Sequence, residues 1–193
     1  MKRISFTLTA LVLVAAGCGG AGDDAAVTEP TSDSAVHNEA DMMFVQGMIP
    51  HHQQAVTMSD MALENSDNTE VLALAEQIKA AQQPEIGQMR NLLDQWGAPA
   101  EGGMEGMEGM EGMGNMQGMM SQSEMGAMMS AQGGEFDRLF LTGMITHHQG
   151  AITSSETELA EGESAEAQEL AQEIIDAQEA EIAEMETLLE EIA

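Results

Sequence analysis

Cysteine and aromatic residues are almost missing from this sequence, and basic residues are scarce. Its 193 residues include one Cys, one Trp, four Phe and no Tyr. An aromatic share of 3% is too small for a β-sandwich, whose faces draw on aromatic and β-branched side chains. Five Lys and Arg stand against 34 Asp and Glu, leaving a net charge of −29. A chain this acidic repels nucleic acid and anionic membranes and attracts cations. Most of its carboxylates read as a solvated face that keeps the protein soluble. What is abundant instead is Ala, Leu, Glu, Gln and Met, all good helix formers. Methionine is the outlier, with 19 residues. A hydrophobic share of 43% suits one compact domain plus tails.

The single cysteine closes a leader. Lys2 and Arg3 precede an apolar run from Ile4 to Ala16, too short to span a bilayer as a stable helix. The run ends in Ala15-Ala16-Gly17-Cys18, which resembles a bacterial lipoprotein signal. That resemblance implies cleavage after residue 17 and lipidation of Cys18, with the mature protein exported and anchored at the bacterial cell envelope. The alternative is an ordinary signal peptide with an incidental Cys. Residues 18–37 then form a flexible tether, in which His37 is expected to be incidental.

Beyond the tether the sequence repeats itself. Gly47-Met48-Ile49-Pro50-His51-His52-Gln53 returns as Gly143-Met144-Ile145-Thr146-His147-His148-Gln149. The matched positions keep a constant offset of 96, which also pairs Asp41 with Asp137 and Phe44 with Phe140. Further along it pairs Gln82, Glu85 and Met89 with Gln178, Glu181 and Met185. A gapless offset of this kind marks an internal duplication.

Each copy carries two helical patterns. Phe44, Met48, His51, Ala55 and Met58 share a face at 100° per residue. A second stripe runs through Val71, Leu74, Ile78, Ile86, Met89 and Leu93, with Thr69 as N-cap and Gly97-Ala98-Pro99 as terminator. Pro50 and Pro84 should kink their helices. The second copy gives helices over about 134–160 and 164–192. One αα-hairpin cannot bury its stripe alone, so two should pack as an all-α four-helix bundle. The hairpins occupy 38–96 and 134–193, joined by a connector over 97–133.

Polar residues inside the stripes carry the chemistry. Gln82 and Glu85, and again Gln178 and Glu181, sit on apolar faces and need partners there. The histidines of the preceding helix are the candidates, His51 and His52 for one pair, His147 and His148 for the other. Such contacts could fix bundle register, or they could orient a metal-binding imidazole from behind. Met48 lies three and four residues before His51 and His52, and Met144 repeats this, so a thioether and an imidazole can reach one ion from one helix face. Adjacent residues diverge by 100°, so one His of each pair is expected to point inward. No Asp or Glu stands three residues before any of these histidines, which argues against a di-iron bundle. Met with His suits soft Cu(I) better than zinc.

The connector points the same way. Met104, Met107, Met110, Met113, Met116 and Met119 recur every third residue, the first three within Gly-Met-Glu units, and Met120, Met125, Met128 and Met129 follow. Gly and Glu predict a mobile, solvated segment in which buried core is not the use of these methionines. Thioethers outlast thiols in an oxidising compartment, so an exported Cu(I) protein would favour Met over Cys. A low-complexity linker, an oxidant-scavenging tract and a partner-docking surface are the other readings.

The segments Phe44–Ala55 and Gln82–Met89 resemble the signature of domain-of-unknown-function family 305. The resemblance spans about residues 38–193 apart from the connector. It implies a ferritin-like bundle in an exported bacterial protein, with copper binding and tolerance among the family's roles. By the same resemblance Met48, His51, His52 and Met89 are candidate ligands, and the internal repeat adds Met144, His147, His148 and Met185. Thr146 in place of Pro, and Ser154 and Thr157 in place of Met58 and Met61, set the second copy apart. The expectation is a non-catalytic, lipid-anchored Cu(I) protein that sequesters copper or passes it to a transfer partner. The alternative is a structural module whose Met-rich segment docks another protein.

Overall fold

A computed structural model describes residues 36–99 and 117–192. It places five helices among them: α1 (Glu39–Asn65), α2 (Thr69–Trp96), α3 (Gln122–Ser130), α4 (Gly133–Glu161) and α5 (Ala165–Glu191). The pairs α1–α2 and α4–α5 are hairpins, and they meet chiefly through α1 against α4. The result is the expected all-α four-helix bundle, with short α3 lying against α4 and α1.

Capping fixes where the long helices start. Asn38 opens α1 with a capping box: its side chain accepts from Ala40 and Asp41 N–H, and the Asp41 carboxylate accepts from Asn38 N–H. Asn68, not Thr69, caps α2, in keeping with the higher N-cap rank of Asn. Helices α1 and α2 continue through Pro50 and Pro84, so neither proline ends its helix. Both prolines are exposed, so the carbonyl each leaves without a donor faces the water side of its helix.

The matched aspartates tie the hairpins together. Asp41, fully buried at the start of α1, accepts from Glu163 N–H at 3.2 Å and Ser164 N–H at 2.9 Å, where α5 begins. Asp137 accepts from the Ser66 hydroxyl at 2.6 Å, in the turn between α1 and α2. Each copy thus grips the turn of the other. Beside Asp41 lies Glu158, only 1% exposed. Burial first, and then the neighbouring Asp41, pushes Glu158 up to about 8. As a carboxylate neither of its oxygens has a partner, whereas protonated it can donate to Asp41. Burial alone would raise Asp41. The hydrogen bonds with Glu158 and the N–H groups of Asn38, Ser164 and Glu163 hold it below its ordinary value.

The core forms two apolar layers. One joins Phe44, Val45 and Met48 to Met89, Leu93 and Ile174. The other joins Met58, Leu74 and Ile78 to Phe136, Phe140 and Met185. The second layer corrects the expectation for the connector. Met128 of α3 is fully buried in it, and Met120 and Met125 pack against it half-buried. Ser121 and Glu124 form a capping box that starts α3, giving this stretch a helix whose apolar side can dock. His37 is also not incidental: its ring stacks on Trp96 with centroids 4.7 Å apart. Among the described residues no helix is long and apolar enough to cross a membrane.

Candidate functional site

The histidines occupy the middle of α1 and α4, between the two apolar layers. All four are fully buried, so both members of each pair point inward, not one. The reason is that α1 and α4 each have two covered faces. His52 turns toward α2 and His148 toward α5, where Nε2 of each meets a carboxylate at 2.7 Å, Glu85 and Glu181 respectively. His51 and His147 turn toward each other across the α1–α4 contact, with ring centroids 3.7 Å apart.

This central pair is electrically neutral. Burial, then the nearby His52 and His148, drives His51 down to about 3. Burial, then His51, drives His147 well below its ordinary value. Neutral imidazoles present a lone pair each, and no ring nitrogen of His51 or His147 makes a hydrogen bond of good geometry, although the Gln117 backbone lies near the His51 ring. Nδ1 of His52 and of His148 is also unpartnered, the carboxylate having taken Nε2.

Gln82 and Gln178 do not hold the imidazoles. Both are buried, and neither amide makes a hydrogen bond. Ser59 and Ser155, which carry no signal in the sequence pattern, are likewise buried with unpartnered hydroxyls. They lie seven residues beyond His52 and His148, on the same helix faces. The orphaned polar atoms therefore come largely in pairs that obey the duplication: His51 with His147, His52 with His148, Ser59 with Ser155, Gln82 with Gln178. A buried polar group without a partner is costly, and a repeated set of them marks an interior shaped to receive something polar or charged.

Thioethers surround this interior. Met48, Met89, Met144 and Met185 are all fully buried. Met48 and Met89 share one apolar layer, Met144 and Met185 the other. Met48 stands one turn before His51 and His52, and Met89 one turn beyond Glu85, so they flank the His52–Glu85 contact. Met144, His148, Glu181 and Met185 repeat the arrangement. Among the described residues no group of three or more His, Cys, Asp or Glu side chains could hold a metal ion. The donor set is instead neutral nitrogen and thioether sulfur, which fits a soft monovalent ion and not a hard one. Met119 is half-buried in a surface groove with Met120, Glu124, Thr142 and Thr146. Cys18, Met104, Met107, Met110, Met113 and Met116 lie outside the described residues.

A family profile described as domain of unknown function (DUF305) matches residues 41–189. A DUF305 protein from Streptomyces coelicolor is similar in structure, with a TM-score of 0.71 at 31% identity, covering 79% of this chain and 93% of its own. A DUF305 fragment from Deinococcus radiodurans gives a TM-score of 0.70 at 31% identity, covering 80% and 97%. CopM in a Cu(II)-bound form gives 0.67 at 33% identity, covering 79% and 97%. CopM in Cu(I)-bound and silver-bound forms also matches. An uncharacterized protein of Acanthamoeba polyphaga mimivirus is 38% identical over 55 residues, so the chain spans about a third of that curated relative, 36%.

Proposed function

The chain belongs to the DUF305 family, and from that premise we propose that it binds copper as Cu(I), on buried imidazole and thioether donors, without catalysis. The observation that carries this reading is the duplicated set of buried ring nitrogens without partners, set among four buried thioethers. The likeness to CopM, solved with Cu(I), Cu(II) and silver, supports it. His52 and His148 would offer Nδ1, with Glu85 and Glu181 behind them fixing the tautomer. Met48 and Met89, and Met144 and Met185, would supply sulfur. His51 and His147, already neutral, lose no proton when they bind.

The leader supports export and lipid anchoring through Cys18, which would place this chemistry outside the cytoplasm. There the connector methionines, Met104 through Met119, would gather ions with fast exchange, and the acidic surface would raise the local cation concentration. Sequestration, or transfer to a partner, follows from such a combination. The test is a Cu(I) competition titration of the Met48→Leu, His51→Ala double variant. It should bind Cu(I) at least about tenfold more weakly than the wild type, since each lost ligand is worth more than an ordinary hydrogen bond. Equal affinity and stoichiometry would remove the bundle centre from the reading.

A further inference from the structure

One break in the duplication close to the central histidines, besides Pro50 against Thr146, changes what packs beside them. Gln54 follows His51 by three residues, and its counterpart, three after His147, is Gly150. Residues i and i+3 share a helix face one turn apart, so both positions lie beside the His51/His147 contact. Both are occupied by the same short segment, residues 117–120. Gln54 grips it on one side: its Oε1 accepts from Met120 N–H at 2.7 Å and its Nε2 donates to Met120 C=O at 3.0 Å. Gly150 admits it on the other. A Cβ at Gly150 would fall 1.7 Å from the Gln117 carbonyl oxygen and 3.0 Å from Gly118 Cα. Gly118 in turn has φ +89°, and a Cβ there would fall 2.5 Å from the Thr146 carbonyl oxygen and 3.0 Å from that of His147. Gly143 completes the seat, since a Cβ there would fall 2.9 Å from Met120 Sδ. The Gln117 backbone is close enough to act on the His51 ring.

Each of these contacts needs a particular residue type, and the two copies supply different ones for a single purpose. A bidentate side-chain amide replaces backbone pairing for a segment that belongs to no helix. Three glycines remove the atoms that would hold the segment off α4. We propose that residues 117–120 form a gate over the His51/His147 pair, latched to α1 by Gln54 and seated on α4 at Gly150. Closed, the gate keeps both imidazoles out of solvent. Opening it costs two hydrogen bonds and exposes the pair without unpacking either hairpin. The gate rests on the copper reading only for what passes through it; the covering of the imidazoles is independent of any metal.

Two full-chain variants test it, Gln54→Ala, which removes the latch, and Gly118→Ala, which drives the segment off the α4 backbone while changing no residue of either hairpin. The first readout is the rate at which diethyl pyrocarbonate modifies His51 and His147, followed by peptide mass spectrometry with His37 as internal control. Both variants should react faster than the wild type at His51 and His147, Gln54→Ala by roughly thirtyfold, the factor that two hydrogen bonds of about 1 kcal/mol each give in a local opening equilibrium. The His37 rate should stay the same. The second readout is the rate of Ag(I) capture, which should rise with unchanged ions bound at equilibrium. Unchanged modification rates in Gly118→Ala, with helicity retained, would overturn the gate. If Gln54→Ala loses its fold, Gly118→Ala decides alone. Faster modification with no Ag(I) bound by any form would keep the gate and sink the copper reading. Ag(I) bound alike by all forms, with unchanged modification, would do the reverse.

Discussion

At the scale of single residues, the bundle centre holds polar atoms that its own chain does not satisfy. Gln82 shows this most simply, because its amide is buried and makes no hydrogen bond. Removing an unsatisfied buried amide for an apolar group of similar size relieves a desolvation penalty. Gln82→Leu should therefore stabilise the metal-free protein by about 1 kcal/mol, read as a higher urea midpoint at unchanged slope. A lower midpoint would mean that Gln82 is satisfied in solution. The His52–Glu85 and His148–Glu181 contacts are legible in the sequence, because an acid repeated within an apolar stripe must find a partner on the facing helix. The burial of both histidines in each pair is not legible. It depends on α1 and α4 each being covered on two faces, which a single helix pattern does not reveal. Ser59 and Ser155 escape notice for a plainer reason, since Ser is small enough to sit anywhere on a helix.

At the scale of elements, the turns are held by side chains from the opposite copy. Glu158 beside Asp41 gives one of these junctions a pH dependence. Its folded value is raised from 4.5 to about 8, so the folded state binds more protons than the unfolded state between those limits. The Glu158 contribution to stability therefore falls as pH rises through that window, while the lowered His51 and His147 contribute with the opposite sign below about 6.5. The comparison with Glu158→Gln isolates the first: the thermal midpoint of the wild type relative to that of the variant should fall between pH 5 and pH 8. A wild-type midpoint that does not fall relative to the variant over that range would contradict the assignment. The four long helices and the duplication are legible from apolar spacing and a constant offset. Helix α3 is hidden by the Met and Gly repeat that leads into it. Its signal is the Ser121-x-x-Glu124 capping box, which outweighs the weak apolar periodicity of the nine residues that follow. Asn68 prevails over Thr69 at the start of α2 because its amide oxygen accepts from the N–H groups of both Glu70 and Val71.

At the scale of the whole molecule, a strongly acidic chain buries four imidazoles among thioethers. The net charge of −29 concentrates cations near the surface without selecting among them. In the proposed function, selection would belong to the interior, where His and Met would favour a soft ion. The duplication gives this interior two halves meeting at His51 and His147, so the centre should fail as a unit when both halves are altered. The most direct measurement is a Cu(I) titration against a chromophoric chelator under reducing conditions. It would compare the protein from residue 19 onward with a variant carrying Met48→Leu, His51→Ala, Met144→Leu and His147→Ala. The wild type should withhold at least one equivalent that the variant gives up, while weaker binding by the connector methionines persists in both. Identical titrations of the two proteins would contradict the account.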